Sequence, residues 1–530
     1  MPEDEEPPGP GGAFTRRALL VGLGAAGGAG AMYAAMGVLG LAPEDQPRDY
    51  APPQRSDFTL TGRAAAKVLV LGAGVAGLTC AYELGKAGYE CTVLDARDRI
   101  GGRSLTLRGG DRFAELTGEI QRVTYGEGQY FNAGPARIAQ WMVTMDYCRE
   151  LGVPLELFVN SNGATYIYNR GMSAPTRART ARADMYGYIA ELLAKATHAG
   201  ALDRRLTPTD KERLLDFLTE FGDIGEKLTY TGSDRRGYRE DPGVGAGTVL
   251  GPVPTVSRVL GEKLGRALTV DFSYEQAVPM FQPIGGMDAI VRALAKAVGD
   301  DRIETGTRAT KIFNRPDGVE VTCQGPDGVS VRTADYCVAA LPPHLLVKIP
   351  GNLSASSLSA LAAAKPYSAS KIGLEYDRRW WESDDRIYGG STYTDLDVSR
   401  VWYPSSGFHG ERGVIVGYYN TGDNSERYAA LPHHERRNRA ITQGKKIHGE
   451  KYRTGILSSA SVSWTRQPHI EGAWVSWSGT APQITLREPD GRVYFAGDWL
   501  TRLIAWQAGA FESARAVVTD LHKRVLAQTG

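Results

Sequence analysis

A glycine-rich turn between a buried strand and a helix constrains this chain more than any other feature. Residues 67–71, KVLVL, form a short apolar run typical of a strand buried on both faces. GAGVAG at 72–77 follows at once, then a helical pattern up to Gly88 and a second apolar run at 91–94 that Asp95 closes. Strand, GxGxxG, helix, strand and acid in this order predict a Rossmann-type dinucleotide-binding unit.

Each position of this fingerprint has a physical task. Gly72 permits the tight turn, Gly74 lets backbone N–H groups approach a pyrophosphate, and Gly77 lets the helix pack closely on the strand. The N-terminus of the helix predicted over 78–88 places its partial positive charge beside the phosphates, and Val75 and Ala76 of the turn are expected to contact the cofactor.

The residues around Asp95 indicate which dinucleotide binds. A carboxylate eighteen residues after Gly77 accepts hydrogen bonds from a ribose diol and disfavours a 2′-phosphate, which argues against NADP and leaves FAD or NAD. Ala96, Arg97 and then Gly101-Gly102-Arg103 continue from this strand. Flexible backbone and a cation beside the pyrophosphate favour FAD.

A third segment near the C-terminus fits the same ligand. RVYFAGD at 492–498 reads as a strand ending in Gly497 and Asp498, and WQAGA at 506–510 leads into a helix. Gly497 permits close approach of the cofactor, and Asp498 can accept a hydrogen bond from a ribityl hydroxyl. The helix N-terminus at Gln507 and Ala508 would face developing negative charge on a flavin ring.

Composition excludes several other classes of protein. The 530 residues carry 61 Lys+Arg and 60 Asp+Glu, a net charge of +1, which argues against a nucleic-acid partner. Five cysteines without a CxxC pair argue against a disulfide scaffold and a structural zinc site, so no metal is expected.

The N-terminal segment predicts export. Arg16-Arg17 precedes residues 18–42, which carry no charge and of which 15 are Gly or Ala. A weakly apolar stretch behind two arginines looks like a twin-arginine signal, which would place the protein in the periplasm or outside the cell. An uncleaved N-terminal anchor is the alternative, and the protein stays in the cytoplasm if the signal is not recognised. Residues 43–63 read as a polar, Pro-rich linker. Residues 1–63 are therefore expected to be a signal or anchor and a linker that precede the folded body.

Beyond these segments, the chain resembles the flavin monoamine oxidase superfamily and, within it, the bacterial and venom-type L-amino-acid oxidases. The resemblance extends over about 67–526. It rests on the motifs VLVLGAGVAGL, VLDARDRIGGR, YFNAGPARI, PIGGMDAIVRAL, YSASKIGLEYDRRWW, VWYPSS, YFAGDW and AWQAGAFESA.

The resemblance implies an α/β, two-domain flavoprotein fold. A Rossmann-like FAD-binding domain would take 64–120, 284–340 and 485–530. A mixed-sheet substrate-binding domain would take 121–140, 251–283 and 341–484, and a helical domain 141–250. Mitochondrial amine oxidases attach their flavin to a cysteine before the last strand. This chain has no cysteine after Cys337, so noncovalent FAD is expected. The family is often dimeric, which leaves a homodimer open.

The resemblance also assigns residues to the substrate carboxylate. Arg137, in GPARI, would grip it as a bidentate pair, with Ala136 beside the flavin. Tyr403, in VWYP, would add its hydroxyl. The motif also aligns one position earlier, which makes Trp402 the alternative at this place in the site.

Further residues would line the flavin and the substrate. Lys371 would hold a water against flavin N5, and Trp506 with Ala505 would form one wall of a slot. Trp474 would stand beside the substrate side chain. The remaining assignments, both to the cofactor, are Ala309 and Trp464.

The function implied is oxidation of an L-amino acid by hydride transfer from Cα to flavin N5, with O₂ as acceptor and a 2-oxo acid, ammonia and H₂O₂ as products. A flavin amino-acid 2-monooxygenase and a polyamine or monoamine oxidase are the alternatives. Lys371 and the tryptophans argue against a non-catalytic FAD-binding module. Aromatic or long aliphatic side chains would suit Trp474, whereas a basic one would suit Asp223 or Glu226.

Replacing Asp95 by Ala should weaken FAD binding without unfolding the protein. A ribose-bonded carboxylate contributes about 1.5–3 kcal/mol, the range for hydrogen bonds to charged groups. Titration of the apoprotein with FAD, followed by flavin fluorescence, measures the change. Unchanged affinity would mean that the ribose is bound elsewhere.

Overall fold

The fingerprint strand lies at the centre of a parallel sheet in the computed structural model, which describes residues 58–265, 268–269 and 273–529. The strands, in chain order, are β1 (Lys67–Leu71), β2 (Glu90–Leu94), β3 (Thr106–Arg108), β4 (Arg112–Ala114), β5 (Ile120–Arg122), β6 (Tyr130–Asn132), β7 (Leu155–Val159), β8 (Tyr166–Tyr168), β9 (Thr176–Arg177), β10 (Tyr238–Glu240), β11 (Thr248–Val249), β12 (Pro279–Pro283), β13 (Ile303–Glu304), β14 (Arg308–Asn314), β15 (Val319–Gly325), β16 (Gly328–Ala334), β17 (Tyr336–Ala339), β18 (Lys365–Tyr367), β19 (Ala369–Tyr376), β20 (Ser391–Thr394), β21 (Arg400–Trp402), β22 (Gly413–Thr421), β23 (Ile456–Ser463), β24 (Trp474–Ser476) and β25 (Val493–Phe495).

The helices follow the same chain order. They are α1 (Val75–Lys86), α2 (Thr144–Glu150), α3 (Ala178–His198), α4 (Pro208–Gly222), α5 (Val256–Gly261), α6 (Ala289–Val298), α7 (Pro343–Leu346), α8 (Ala355–Ala362), α9 (Trp380–Ser383), α10 (Gly422–Ala429), α11 (His433–His448), α12 (Ala481–Arg487) and α13 (Gln507–Thr529).

The parallel sheet has the order β13-β2-β1-β17-β25. Alternation along β1 gives it two buried faces. Val68 and Val70 face the core that includes α1, α6 and α13, whereas Leu69 and Leu71 face the core beneath the antiparallel sheet β14-β15-β16. A strand buried on both faces must be apolar throughout, which is why KVLVL predicted it. The Rossmann-like prediction is confirmed.

A second, seven-stranded sheet has the order β23-β19-β22-β21-β20-β8-β9. Its pairs are antiparallel except β20 with β8, so the sheet is mixed, as predicted. One face packs on an aromatic core that contains Ile372, Tyr403 and Tyr418. The other face carries Lys371, Trp402 and Tyr419.

Residues 141–250, predicted as a helical domain, hold the paired helices α3 and α4. The same stretch also supplies strands to other parts of the molecule. β7 pairs with β12, and β8 joins the seven-stranded sheet.

The predicted signal or anchor at 18–42 lies outside the described residues. Within the described part of the chain, the helices lack a segment with the length and apolar character that a bilayer crossing requires.

The predicted linker contacts the body of the protein at its C-terminal end. Phe58 and Leu60 pack on the core formed by α1 and α13, and the carbonyl of Thr61 lies 2.9 Å from His522 Nε2. Residues 58–63 therefore contribute contacts that the polar composition of the linker did not predict.

Two truncated chains test this contribution. A chain starting at residue 58 should melt at the temperature of the full-length protein. A chain starting at residue 64 should melt lower, because loss of the partly buried Phe58 and Leu60 costs about 1–3 kcal/mol. Differential scanning calorimetry of both FAD-loaded chains measures this, and equal melting temperatures would show that the 58–63 contacts do not stabilise the fold.

Candidate active site

A cavity of about 1400 Å³ extends from the carboxyl ends of β1 and β2 to the seven-stranded sheet. Ligands of open parallel sheets bind at such strand ends. Pockets for a single small ligand usually hold about 300–1,000 Å³. This cavity therefore has room for a dinucleotide together with a second small molecule.

The glycine turn opens one end of the cavity. Gly72 has φ +104°, and a Cβ there would lie 2.7 Å from the Ala340 carbonyl oxygen. A Cβ on Gly77 would lie 1.9 Å from the Gly72 oxygen, so Gly77 serves packing and does not itself line the cavity. The backbones of Gly74 and Gly102 approach each other and do line it. The space kept by the absence of side chains fits a pyrophosphate.

Asp95 stands at the end of β2 with its carboxylate fixed. Oδ2 accepts the Ala73 N–H at 2.9 Å, and Oδ1 accepts the Arg97 N–H at 3.0 Å. Arg97 Nη1 also donates to the Gly102 carbonyl at 3.0 Å. Ala96 and Ala309 complete this end of the cavity. The arrangement fits a ribose against an acid, as the sequence predicts.

Arg103 joins this end of the cavity to the C-terminal segment. Its guanidinium forms an ion pair with Asp498, and Nη1 donates to the Ala473 carbonyl at 2.8 Å. Asp498 Oδ2 also accepts the Ala505 N–H at 2.8 Å. That bond helps to hold Ala505 at φ +70°, a left-handed conformation that alanine rarely adopts. Gly497 and Asp498 both line the cavity.

Gln507, the first residue of α13, offers an unused acceptor. Its Nε2 donates to Ser104 Oγ at 2.9 Å, whereas its buried Oε1 has no hydrogen-bond partner within the described residues. Such a group indicates a missing partner. Two of the predicted cofactor residues, Gly77 and Ala508, do not line the cavity. Ala508 packs in the core instead.

Arg137 lies toward the other end of the cavity. The central carbon of its guanidinium lies 4.8 Å from the centre of the Trp402 ring and 5.3 Å from that of Trp506. Nη2 donates to Gln276 Oε1 at 3.1 Å, and the buried Nε has no partner in the described chain. Burial, with a smaller effect from Arg400, lowers the pKa of Arg137 to about 10. The arginine remains a cation at neutral pH.

Lys371 lies on the same side of the cavity, opposite Tyr419 in the sheet register. Its Nζ donates to the carbonyls of Asn132 and Gly134 and lies 5.4 Å from the Trp402 ring. Burial and then the charge of Arg137 lower the pKa of Lys371 to about 7. Lys371 is therefore able to exchange a proton near neutral pH.

The structure does not bring Tyr403 into the cavity. Alternation along β21 and the residue after it turns Val401 and Tyr403 toward the aromatic core and Trp402 toward Arg137. Tyr403 hydrogen-bonds His448 Nε2 at 2.7 Å and Thr392 at 2.8 Å behind the sheet. The assignment of Tyr403 is thus corrected to Trp402, the alternative left by the one-residue shift.

The other predicted aromatic residues line the cavity. Trp464 donates through Nε1 to the Ala133 carbonyl at 3.1 Å, and Trp474 stacks on Tyr367 with ring centroids 5.1 Å apart. Asp223 and Glu226, considered for a basic substrate, are exposed and do not line the cavity.

Sequence reasoning missed Gln276, Tyr393, Arg400 and Tyr419, which all line the cavity. In the strands that carry Tyr393 and Tyr419, successive side chains alternate between the two faces of the sheet. Only the pairing with neighbouring strands shows which face meets the cavity.

Comparison with known proteins agrees with this geometry. Residues 75–522 match the model of the flavin containing amine oxidoreductase family. A flavin-dependent L-tryptophan oxidase of Lentzea aerocolonigenes is 27% identical over 481 residues, covering 86% of this chain and 98% of that protein. An L-amino-acid oxidase of Demansia vestigiata is 26% identical over 475 residues, covering 86% and 87% of the two chains.

Solved structures show the same fold. Cyclohexylamine oxidase from Brevibacterium oxydans IH-35A superposes with a TM-score of 0.58 at 17% identity, covering 88% of this chain and 99% of that one. Wild-type putrescine oxidase bound to putrescine superposes with a TM-score of 0.57, also at 17% identity, covering 88% and 100%.

The chain belongs to the flavin containing amine oxidoreductase family. It is an FAD-dependent oxidase of the class that oxidises amines. Asp95 and Arg97 would hold the ribose end of FAD, the Gly72–Gly77 turn the pyrophosphate, and Asp498 with Gln507 the flavin end.

Replacing Lys371 by Met tests its burial through the pH dependence of stability. The native pKa of about 7 lies below the ordinary 10.5. Below pH 7 lysine is charged in both states, so the burial penalty is fully present. Between 7 and 10.5 the unfolded chain carries a proton that the native chain lacks, so the wild type gains stability as pH rises.

The free energy of unfolding of Lys371→Met relative to the wild type should therefore decrease from pH 6.5 to 9.5. Denaturant melts of the FAD-loaded proteins measure this difference. Lys296→Met, at an exposed position on α6, is the control. A constant difference across this range would show that Lys371 is not buried as a neutral amine.

Proposed function

We propose that this protein oxidises L-α-amino acids with O₂, giving a 2-oxo acid, ammonia and H₂O₂. The observation that carries the proposal is Arg137. Within the described residues, no carboxylate lies within 4.0 Å of its guanidinium. A partly buried cation with a buried, unpartnered Nε is costly to maintain in a fold, and a substrate carboxylate would supply the missing charge.

The surroundings of Arg137 leave its edge available. The Trp402 and Trp506 rings both lie beside the guanidinium, which restricts its orientation. Among the described residues, only Gln276 accepts a hydrogen bond from its N–H donors. A planar fork with free donors is suited to a carboxylate and gives no comparable advantage for a simple amine.

Binding the α-carboxylate at Arg137 would fix the orientation of the substrate. Trp506 follows Ala505, whose N–H is held by Asp498, so the wall of the slot is rigidly connected to the cofactor end of the cavity. A substrate held at one end by a fork and confined by tryptophans has few orientations, which lowers the entropic part of the barrier. The bound flavin would supply two-electron oxidation of the C–N bond, with O₂ as the final acceptor.

Lys371 would act on protons near the reacting carbon. Its Nζ lies on the same side of the cavity as Arg137 and is held by two backbone carbonyls, which accept but cannot donate. With a pKa of about 7, its amine is present in both protonation states at neutral pH. We assign to Nζ the holding of a water molecule or a proton beside the bound substrate.

The relatives support this proposal over simple amine oxidation. Both aligned relatives have names that refer to amino acids, whereas the solved structures with the same fold are named for cyclohexylamine and putrescine. Since the fold does not distinguish amino-acid oxidation from amine oxidation, the choice between these two functions depends on which chemical group of the substrate contacts Arg137.

Arg137→Lys tests the proposal directly. Lysine keeps the charge but loses the fork, so kcat/KM for an L-amino acid should decrease at least about tenfold, which corresponds to about 1.4 kcal/mol of transition-state binding. The matching amine, which lacks the carboxylate, should be nearly unaffected. A peroxide assay and anaerobic reduction of the flavin measure both substrates.

Two controls make the result decisive. Arg302→Lys, at an exposed position, should retain both activities, and the flavin spectrum of Arg137→Lys should match the wild type. Equal losses for amino acid and amine, or loss of FAD, would assign Arg137 a structural role. Detection of an amide in place of the oxo acid would instead identify the monooxygenase reaction.

A further inference from the structure

A second arginine, Arg400, lines the same cavity as Arg137. It lies two residues before Trp402 on β21, so alternation places both side chains on one face of the sheet. Trp402 contacts Arg137. Two residues of a strand span about 6.6–6.8 Å. The two guanidinium groups therefore face one space from neighbouring positions.

Arg400 is positioned by an aromatic ring rather than by an acid. Tyr393 is its cross-strand partner on β20, and the guanidinium lies 4.5 Å from the centre of that ring. Stacking occupies the face of the guanidinium and leaves its N–H edge free. Within the described chain, no hydrogen bond from that edge and no carboxylate within 4.0 Å is found.

The nearest acids in sequence are engaged by other groups. Asp395 lines the same cavity, and it accepts the backbone N–H of Arg170 at 2.8 Å. Asp397 is surrounded by the guanidinium groups of Arg170, Arg427 and Arg439. Within the described residues, neither carboxylate lies within 4.0 Å of the Arg400 guanidinium.

Arg137 and Arg400 are thus two cations of the cavity that have no carboxylate within 4.0 Å in the described residues, and one substrate carboxylate would pair with only one of them. The charge of Arg400 contributes to lowering the pKa of Arg137, which indicates that the two cations sense each other across the cavity. A neutral amino acid would satisfy Arg137 and leave Arg400 unpaired. An amino acid with a second carboxylate would satisfy both.

We propose that Arg400 binds the side-chain carboxylate of the substrate and that the preferred substrates are acidic L-amino acids, of the size of aspartate or glutamate. This inference rests on the proposed oxidation of L-amino acids. It replaces the preference for aromatic, aliphatic or basic side chains that the sequence left open, because Arg400 adds a second cation to the cavity beside Trp402.

Pairs of substrates that differ only in the side-chain charge test the inference with the FAD-loaded protein. L-Glutamate should exceed L-glutamine, and L-aspartate should exceed L-asparagine, by at least about tenfold in kcat/KM for at least one pair, because a guanidinium that the bound substrate shields from water discriminates strongly against a substrate that leaves it unpaired. Arg400→Met should reduce that ratio at least about tenfold, and Arg400→Lys should reduce it less. Arg112→Met, which removes an exposed charge outside the cavity, should leave the ratio unchanged.

Binding without turnover gives a second measurement. Glutarate, a dicarboxylate without the amine, should raise the melting temperature of the FAD-loaded wild type more than valerate does. Arg400→Met should remove this difference.

The outcomes separate the two proposals. Oxidation of L-amino acids with a glutamate to glutamine ratio near one, or with a ratio and a glutarate shift that Arg400→Met does not change, would overturn the role of Arg400 and leave the proposed function standing. Absence of peroxide with every L-amino acid would overturn the proposed function, and the role of Arg400 with it.

Discussion

The ion pair between Arg103 and Asp498 connects the parts of the molecule on which the site depends. It joins a loop that follows the second strand to a turn 395 residues later in the chain. Arg103 also reaches the carbonyl of Ala473, next to Trp474, and Asp498 holds the N–H of Ala505, next to Trp506. Both oxygens of the buried Asp498 carboxylate thereby have hydrogen-bond partners, as a buried polar group requires. One network thus sets the distance between the cofactor end and the tryptophan walls.

Strand alternation decides which side chains meet the substrate. In the seven-stranded sheet, Lys371 lies opposite Tyr419, and the neighbouring residues Ile372 and Tyr418 pack into the core on the other face. The same rule turns Trp402 inward and Tyr403 outward. A shift of one residue would exchange the two faces, which explains why the motif alone left Tyr403 and Trp402 as alternatives. The hydroxyl of Tyr403 instead joins His448 and Asp385 in a buried hydrogen-bond chain that supports the sheet from behind.

The substrate end of the cavity is distinguished by cationic side chains that lack a carboxylate partner among the described residues. Arg137 and Lys371 are both placed where burial lowers their pKa values, and neither has a carboxylate within 4.0 Å in the described residues. Elsewhere the fold pairs its buried arginines closely. Arg236 is paired with Asp184 at 2.7 Å, and Arg436 with Glu115 at 2.6 Å. The contrast supports the proposal that the unpaired cations serve ligand binding, because a site for stability alone would not retain them.

The sequence by itself determined the cofactor-binding half of this protein. Its determinants are local: the turn at Gly72 requires positive φ, Gly77 requires contact with the Gly72 carbonyl, and Asp95 must follow the second strand. Backbone conformation and close contact restrict the residue type at each such position, so the pattern can be recognised in the amino-acid sequence. At the substrate end, motifs named Arg137, Lys371 and Trp506, whereas only the tertiary structure turned Trp402 rather than Tyr403 toward Arg137 and placed Arg400 in the same cavity. These outcomes follow from sheet register and from where the carboxylates lie among the described residues, and neither property is encoded in any one segment.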